Sequence, residues 1–102
     1  MQAHHSPRQT LDQKGKKMLA FHYTITDEAG LHARPAGLLV KEAQKYDSKI
    51  VIKKETKTVE ATKLIAIMGL GVKCGQDVEV EISGSDEITA YKELKAFFEA
   101  TL

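Results

Sequence analysis

Two strictly alternating segments, AFHYTIT at residues 20–26 and DVEVEIS at residues 77–83, limit what this chain can fold into. Phe21, Tyr23 and Ile25 share one side of the first, with His22 and Thr24 on the other. Val78, Val80 and Ile82 share one side of the second, with Glu79 and Glu81 opposite. Such period-two patterns mark strands with one covered and one wet face, so a sheet with a single apolar face has to be roofed by helices.

The intervening sequence supplies the roof. Asp27, Glu28, Ala29 and Gly30 make a turn, and a helix of about fourteen residues is predicted from Ala33 to Tyr46, with Ala36, Leu39, Val40 and Ala43 on one face. Asp47 and Ser48 end it. KIVIKKETKTVEA, residues 49–61, predicts a hairpin with Ile50 and Ile52 inward and a return strand around Val59. TKLIAIMGL at 62–70 predicts a short helix closed by Gly69, Gly71 and Gly75. A last helix is expected from an N-cap at Ser85, with Asp86 and Glu87 in its first turn and Ile88, Tyr91, Leu94 and Phe98 as its buried stripe.

The order is β-α-β-β-α-β-α, an α+β domain with one antiparallel sheet covered on one face. A ferredoxin-like arrangement is the usual outcome of that order. A chain of 102 residues that is 42% hydrophobic supports one core rather than two.

Charge and targeting signals exclude several function classes. The net charge of +1 gives no broad attraction to nucleic acid or an anionic membrane. Four of the fifteen basic residues and one of the fourteen acidic ones fall in the first seventeen, leaving eleven against thirteen in residues 18–102. The opening MQAHHSPRQTLDQKGKK lacks periodicity and reads as a flexible tail over residues 1–17, with Met18 a candidate natural start. No run is apolar enough for a secretory signal or a membrane span, and the single Cys74 cannot form an internal disulfide, so a cytoplasmic location is expected.

The chemistry concentrates in GLHARPAG, residues 30–37. With the helix starting at Ala33, His32 is the N-cap and Pro35 removes an N–H that has no intrahelical partner. The remaining free amides, at Ala33 and Arg34, and the helix dipole favour an anion beside His32. Arg34 adds a permanent charge whose planar donors suit phosphate oxygens. A neutral imidazole is a good nucleophile, and the labile N–P bond it can form suits an intermediate that passes its phosphate on.

Other candidates are weaker. His4 and His5 in the tail are not expected to hold a metal, and no metal or cofactor is expected elsewhere. His22 is expected to be solvated, Cys74 an isolated thiol, and Lys53, Lys54 and Lys57 a solvated hairpin tip without the aromatic partners of a nucleic-acid surface. Of the crowded second helix, Leu64, Ile67 and Leu70 are expected in the core and Ile65 and Met68 at the surface.

GLHARPAG, VEATKLIAIMGLGVKCG at 59–75 and DVEVEISG followed by an acidic helix start resemble HPr, the histidine-containing phosphocarrier family of the phosphoenolpyruvate-dependent sugar phosphotransferase system. The resemblance covers nearly all of residues 19–102. It implies, in place of the ferredoxin-like arrangement, an open-faced β-sandwich of four antiparallel strands with three helices on one side. It also implies that His32 takes a phosphoryl group on Nδ1 from phosphorylated Enzyme I and gives it to sugar-specific IIA domains, with Arg34 and the Ala33 amide holding the phosphate. Docking would fall to the first two helices, including Ile65, Met68 and Leu64, on a monomer acting as a system component rather than a stand-alone enzyme. Two departures stand out. Lys63 occupies the place of the regulatory serine of many Gram-positive members, and Ala29 replaces a small polar residue three positions before the histidine. The alternatives are an HPr-like regulator of a nitrogen-type or other signalling branch, using the same histidine, and a non-catalytic interaction module.

Overall fold

The computed structural model describes residues 8–11 and 17–102. Strands β1 (Arg8–Leu11), β2 (Lys17–Thr24), β3 (Lys49–Lys54), β4 (Lys57–Glu60) and β5 (Asp77–Ser83) form one antiparallel sheet in the order β1-β2-β5-β3-β4. Helices α1 (Ala33–Ala43), α2 (Leu64–Gly69) and α3 (Glu87–Thr101) pack on one face. The four strands β2 to β5 with the three helices are the open-faced sandwich. A ferredoxin-like sheet would place the first strand of the pattern between two of the other three; here β2 pairs with only β5 of them, and its other side takes β1.

The alternation in the sequence becomes the core. Leu19 faces Ile82, Phe21 faces Val80 and Tyr23 faces Val78 across β2 and β5, while Ile50 and Ile52 meet Ile82 and Val80 across β3 and β5. Phe98 of α3 is fully buried, with its ring edge-on to Phe21 and to Tyr23 at 5.5 Å each. Burial of each such ring contributes about 1.5–3 kcal/mol. The opposite face stays wet: Lys53 Nζ lies 3.3 Å from Glu81 and His22 Nε2 3.6 Å from Glu79. Exposed pairs of this kind contribute about 0–1 kcal/mol and serve solubility more than stability.

Several expectations are corrected. Arg8–Leu11 lies within the stretch read as a flexible tail, yet it pairs antiparallel with β2, Arg8 opposite Ala20 and Leu11 opposite Lys17. Main-chain pairing to an open edge needs no side-chain periodicity, which is why the sequence pattern missed it. Residues 1–7 and 12–16 lie outside the described residues. The first strand runs Lys17–Thr24 rather than 20–26. Helix α1 ends at Ala43, because the Lys45 and Tyr46 amides turn back to Glu42 and Ala43 in tighter three-residue steps. Ile88 is 61% exposed, and Ala90 takes its place in the buried stripe. At 3.6 residues per turn, Ile88 points roughly 100° away from the centre of the face made by Ala90, Tyr91, Leu94 and Phe98.

The N-cap of α3 is Asp86, not Ser85, and its carboxylate caps nothing. Asp86 instead reaches across to the loop after α1, where Oδ2 accepts from the Asp47 amide at 2.9 Å and Oδ1 from the Ser48 amide and hydroxyl at 2.9 and 2.5 Å. Glycine is required beside it: a Cβ on Gly84, at φ 154°, would stand 2.5 Å from Ser48 Cα. The Ser48 hydroxyl first, then the Asp47 amide, hold the Asp86 carboxyl below the ordinary carboxylate value. The unfolded chain therefore takes up this proton first as pH falls. The contribution is complete above the unfolded value of about 3.9 and is lost as pH drops through the lower folded one. In thermal melts across pH, Asp86→Asn should melt below wild type at neutral pH, with the gap closing in acid; a gap independent of pH would show that the carboxylate charge is not what the contact uses.

Candidate functional site

His32 is reached through a loop held at three places. The Thr26 and Asp27 amides donate to the Leu102 carbonyl at 2.6 and 2.8 Å. Asp27 then closes the turn, its Oδ1 accepting from the Ala29 amide at 2.8 Å and its carbonyl from the Gly30 amide at 2.9 Å. Finally the Leu31 amide donates to the Val72 carbonyl at 3.0 Å while the Leu31 side chain is buried. The third hold demands glycine. Gly30 has φ 66°, and a Cβ there would sit 2.4 Å from Val72 O and 2.9 Å from Lys73 Cα.

One residue later the helix begins, with His32 as the N-cap in extended backbone. Its Nδ1 accepts from the Ala33 amide at 2.8 Å. An amide can only donate, so Nδ1 carries the lone pair and the neutral ring bears its proton on Nε2. Ala36 N–H bonds the His32 carbonyl, Pro35 has no N–H to leave unpaired, and the Arg34 amide is without a partner among the described residues. A nucleophilic nitrogen thus lies exposed at the positive end of α1, beside backbone donors. Arg34 is exposed two residues on, on the outward face it shares with Leu38 and Lys41.

Helix α2 packs against α1. Just past its end, the Leu70 and Gly71 carbonyls accept from Lys54 Nζ at 3.3 and 3.1 Å, so Lys54 is not part of a solvated tip. Ile67 and Leu70 are in the core as expected, and Ile65 is 78% exposed. Leu64, the first residue of α2, departs from its core assignment at 39% exposure. Met68 is half-buried against the core rather than fully at the surface. Leu38 was missed, although its place opposite the Ala36–Leu39–Ala43 stripe was the signal for an apolar residue facing out. The side chain of Lys63, the N-cap of α2, makes no capping hydrogen bond. Cys74 Sγ lies 3.6 Å from the Thr26 carbonyl on the surface, and His4 and His5 lie outside the described residues.

Gly30→Ala tests the hold on the site. Left-handed strain and the clash with Val72 should cost about 1–3 kcal/mol, read by denaturant melts, and should move the His32 ring-nitrogen resonances. Unchanged resonances would detach Gly30 from the placement of His32.

Comparison with known proteins follows this geometry. A family model described as the PTS HPr component phosphorylation site matches residues 19–100. The phosphocarrier protein HPr of Treponema pallidum (strain Nichols) is 35% identical over 75 residues, 74% of this chain and 85% of that protein. Among solved structures, HPr-C-His from Thermoanaerobacter tengcongensis aligns with TM-score 0.77 and 39% identity over 80% of this chain and 92% of its own. The phosphocarrier protein HPr from Bacillus anthracis str. Ames aligns with TM-score 0.75 and 34% identity, covering 79% and 96%.

Proposed function

The chain belongs to the HPr phosphocarrier family of the phosphotransferase system, and from that premise we propose that His32 Nδ1 is the atom that carries the phosphoryl group. The observation that carries the reading is the 2.8 Å bond from the Ala33 amide to Nδ1. It keeps the lone pair on the nitrogen at the helix end and leaves the ring proton on Nε2. As the Ala33 amide releases Nδ1, attack by that lone pair on a donor phosphohistidine forms the new N–P bond while the old one breaks, and the old bonding pair returns to the donor imidazole. No proton has to move. Once Nδ1 is bonded to phosphorus, the Ala33 and Arg34 amides and the Arg34 guanidinium are the nearby donors for the phosphate oxygens.

The donor in this reading is phosphorylated Enzyme I and the acceptors are sugar-specific IIA domains, with the chain acting as a monomer in the cytoplasm during carbohydrate uptake. No helix among the described residues is long and apolar enough to cross a membrane. Exposed Leu38, Leu64 and Ile65 beside Arg34 and Lys41 suit partners with an apolar patch rimmed by acidic residues. With Met68 half-buried, the contact surface centres on Ile65 and Leu64. Lys63 has no hydroxyl to phosphorylate, so control by a serine kinase at that place does not operate.

Incubation with phosphoenolpyruvate and Enzyme I should give an acid-labile, alkali-stable phosphate on the wild type and none on His32→Ala. Label on the variant would reject His32, and no label on the folded wild type would reject the carrier role. Arg34→Ala should fold normally and transfer about ten-fold more slowly, equivalent to about 1.4 kcal/mol of barrier; an unchanged rate would remove Arg34 from the site.

A further inference from the structure

Lys73 stands against the loop that carries His32. It belongs to residues 72–76, which are fastened to that loop at two points: the Leu31 amide donates to the Val72 carbonyl at 3.0 Å and the Gly75 amide to the Ile25 carbonyl at 2.7 Å. A Cβ on Gly30 would stand 2.9 Å from Lys73 Cα, so the two backbones touch just before His32. The base of Lys73 is held as well, its amide donating to Gln76 Oε1 at 2.9 Å and its carbonyl accepting from the Gln76 amide at 3.0 Å. Its side chain is exposed, and among the described residues the ammonium makes no hydrogen bond or ion pair. Of the acids on the facing turn, Asp27 accepts from the Ala29 amide instead, and Glu28 is exposed and forms no ion pair with it.

Donors for a phosphoryl group on His32 are few. Ala29 brings no side-chain donor, and the Ala29, Gly30 and Leu31 amides are committed to Asp27 and Val72. The Ala33 and Arg34 amides and one guanidinium remain. A phosphorylated side chain carries about −1.5 to −2 near neutral pH, more than one fixed cation offsets. The two residues from Gly30 to His32 span at most about 7 Å, a distance suited to the flexible four-carbon stem of a lysine rooted beside Gly30.

We propose that Lys73 is a second cation for the phosphoryl group on His32, its ammonium swinging past the Gly30 turn toward the phosphate oxygens when the group arrives. The inference deepens the carrier reading above and rests on it. Its effect falls on the loaded chain itself: a nearby positive charge favours the dianionic phosphate over the monoanion, with or without a partner protein present.

The test follows the phosphorus NMR resonance of the phosphorylated chain across pH, after loading with phosphoenolpyruvate and Enzyme I and removal of Enzyme I. Lys73→Gln should raise the midpoint of the phosphoryl titration by about 0.3–0.5 pH unit, and Lys73→Glu by about twice that. Lys73→Arg should keep the wild-type midpoint, and salt at about 1 M should shrink the gaps. A role confined to partner contact would leave the titration of the isolated chain unmoved. Equal midpoints in wild type, Lys73→Gln and Lys73→Glu overturn the proposal, as does a gap that salt leaves unchanged. If the wild type takes no phosphate, the carrier reading falls and this inference falls with it. If the wild type is loaded and the midpoints coincide, only the role of Lys73 falls.

Discussion

Gly30 packs its backbone directly onto the Val72 carbonyl, and the placement of His32 depends on that approach. The chain leaves β2, turns at Asp27 and must enter α1 with the imidazole already at the helix end. Nothing in α1 itself can set that entry, since its first turn has one N–H fewer through Pro35 and no acidic residue to hold it. The Leu31 to Val72 hydrogen bond and the left-handed Gly30 set it from outside, by bolting the loop to the segment that follows α2. The same segment is steadied by Lys54 from the β3–β4 hairpin. Three parts of the sequence far apart in order thus converge on one loop, and the position of His32 is set by all three.

Much of this was legible in the sequence because it depends on local period and local chemistry. The alternation at Phe21, Tyr23, Val78, Val80 and Ile82 became the inner face of the sheet. GLHARPAG placed the helix start at Ala33 and the cap at His32 with no tertiary information. The misses are residues whose fate is set at a distance. Asp86 looked like a first-turn acid, but Ser48 and Asp47, brought close only by folding, captured its carboxylate. Leu64 and Ile88 sit in the first turns of their helices, where apolar spacing says little about how far the sheet extends beneath them. Strand β1 is held by main-chain pairing to β2, for which side-chain pattern carries no signal. The four-strand order was likewise beyond spacing and came from resemblance alone.

The division of labour between the two faces of the sheet follows from charge. On the open face, cross-strand partners such as Lys53 and Glu81 offset one another's charge. At the helix side, Arg34 and Lys41 are exposed next to apolar Leu38, and no acid of α1's first turn offsets them. On the proposed reading, recognition is concentrated at one end of a molecule whose net charge is nearly zero. Selectivity comes from arrangement rather than from bulk attraction.

His32 is exposed at the N-terminal end of α1. On the proposed reading, a group carried on an exposed ring meets bulk water for as long as the molecule diffuses alone. On that reading, dryness is lent by whichever surface covers the ring. By the same reading, a labile bond at His32 is protected during each encounter and perishable between encounters, which makes the interval between collisions the clock of the system.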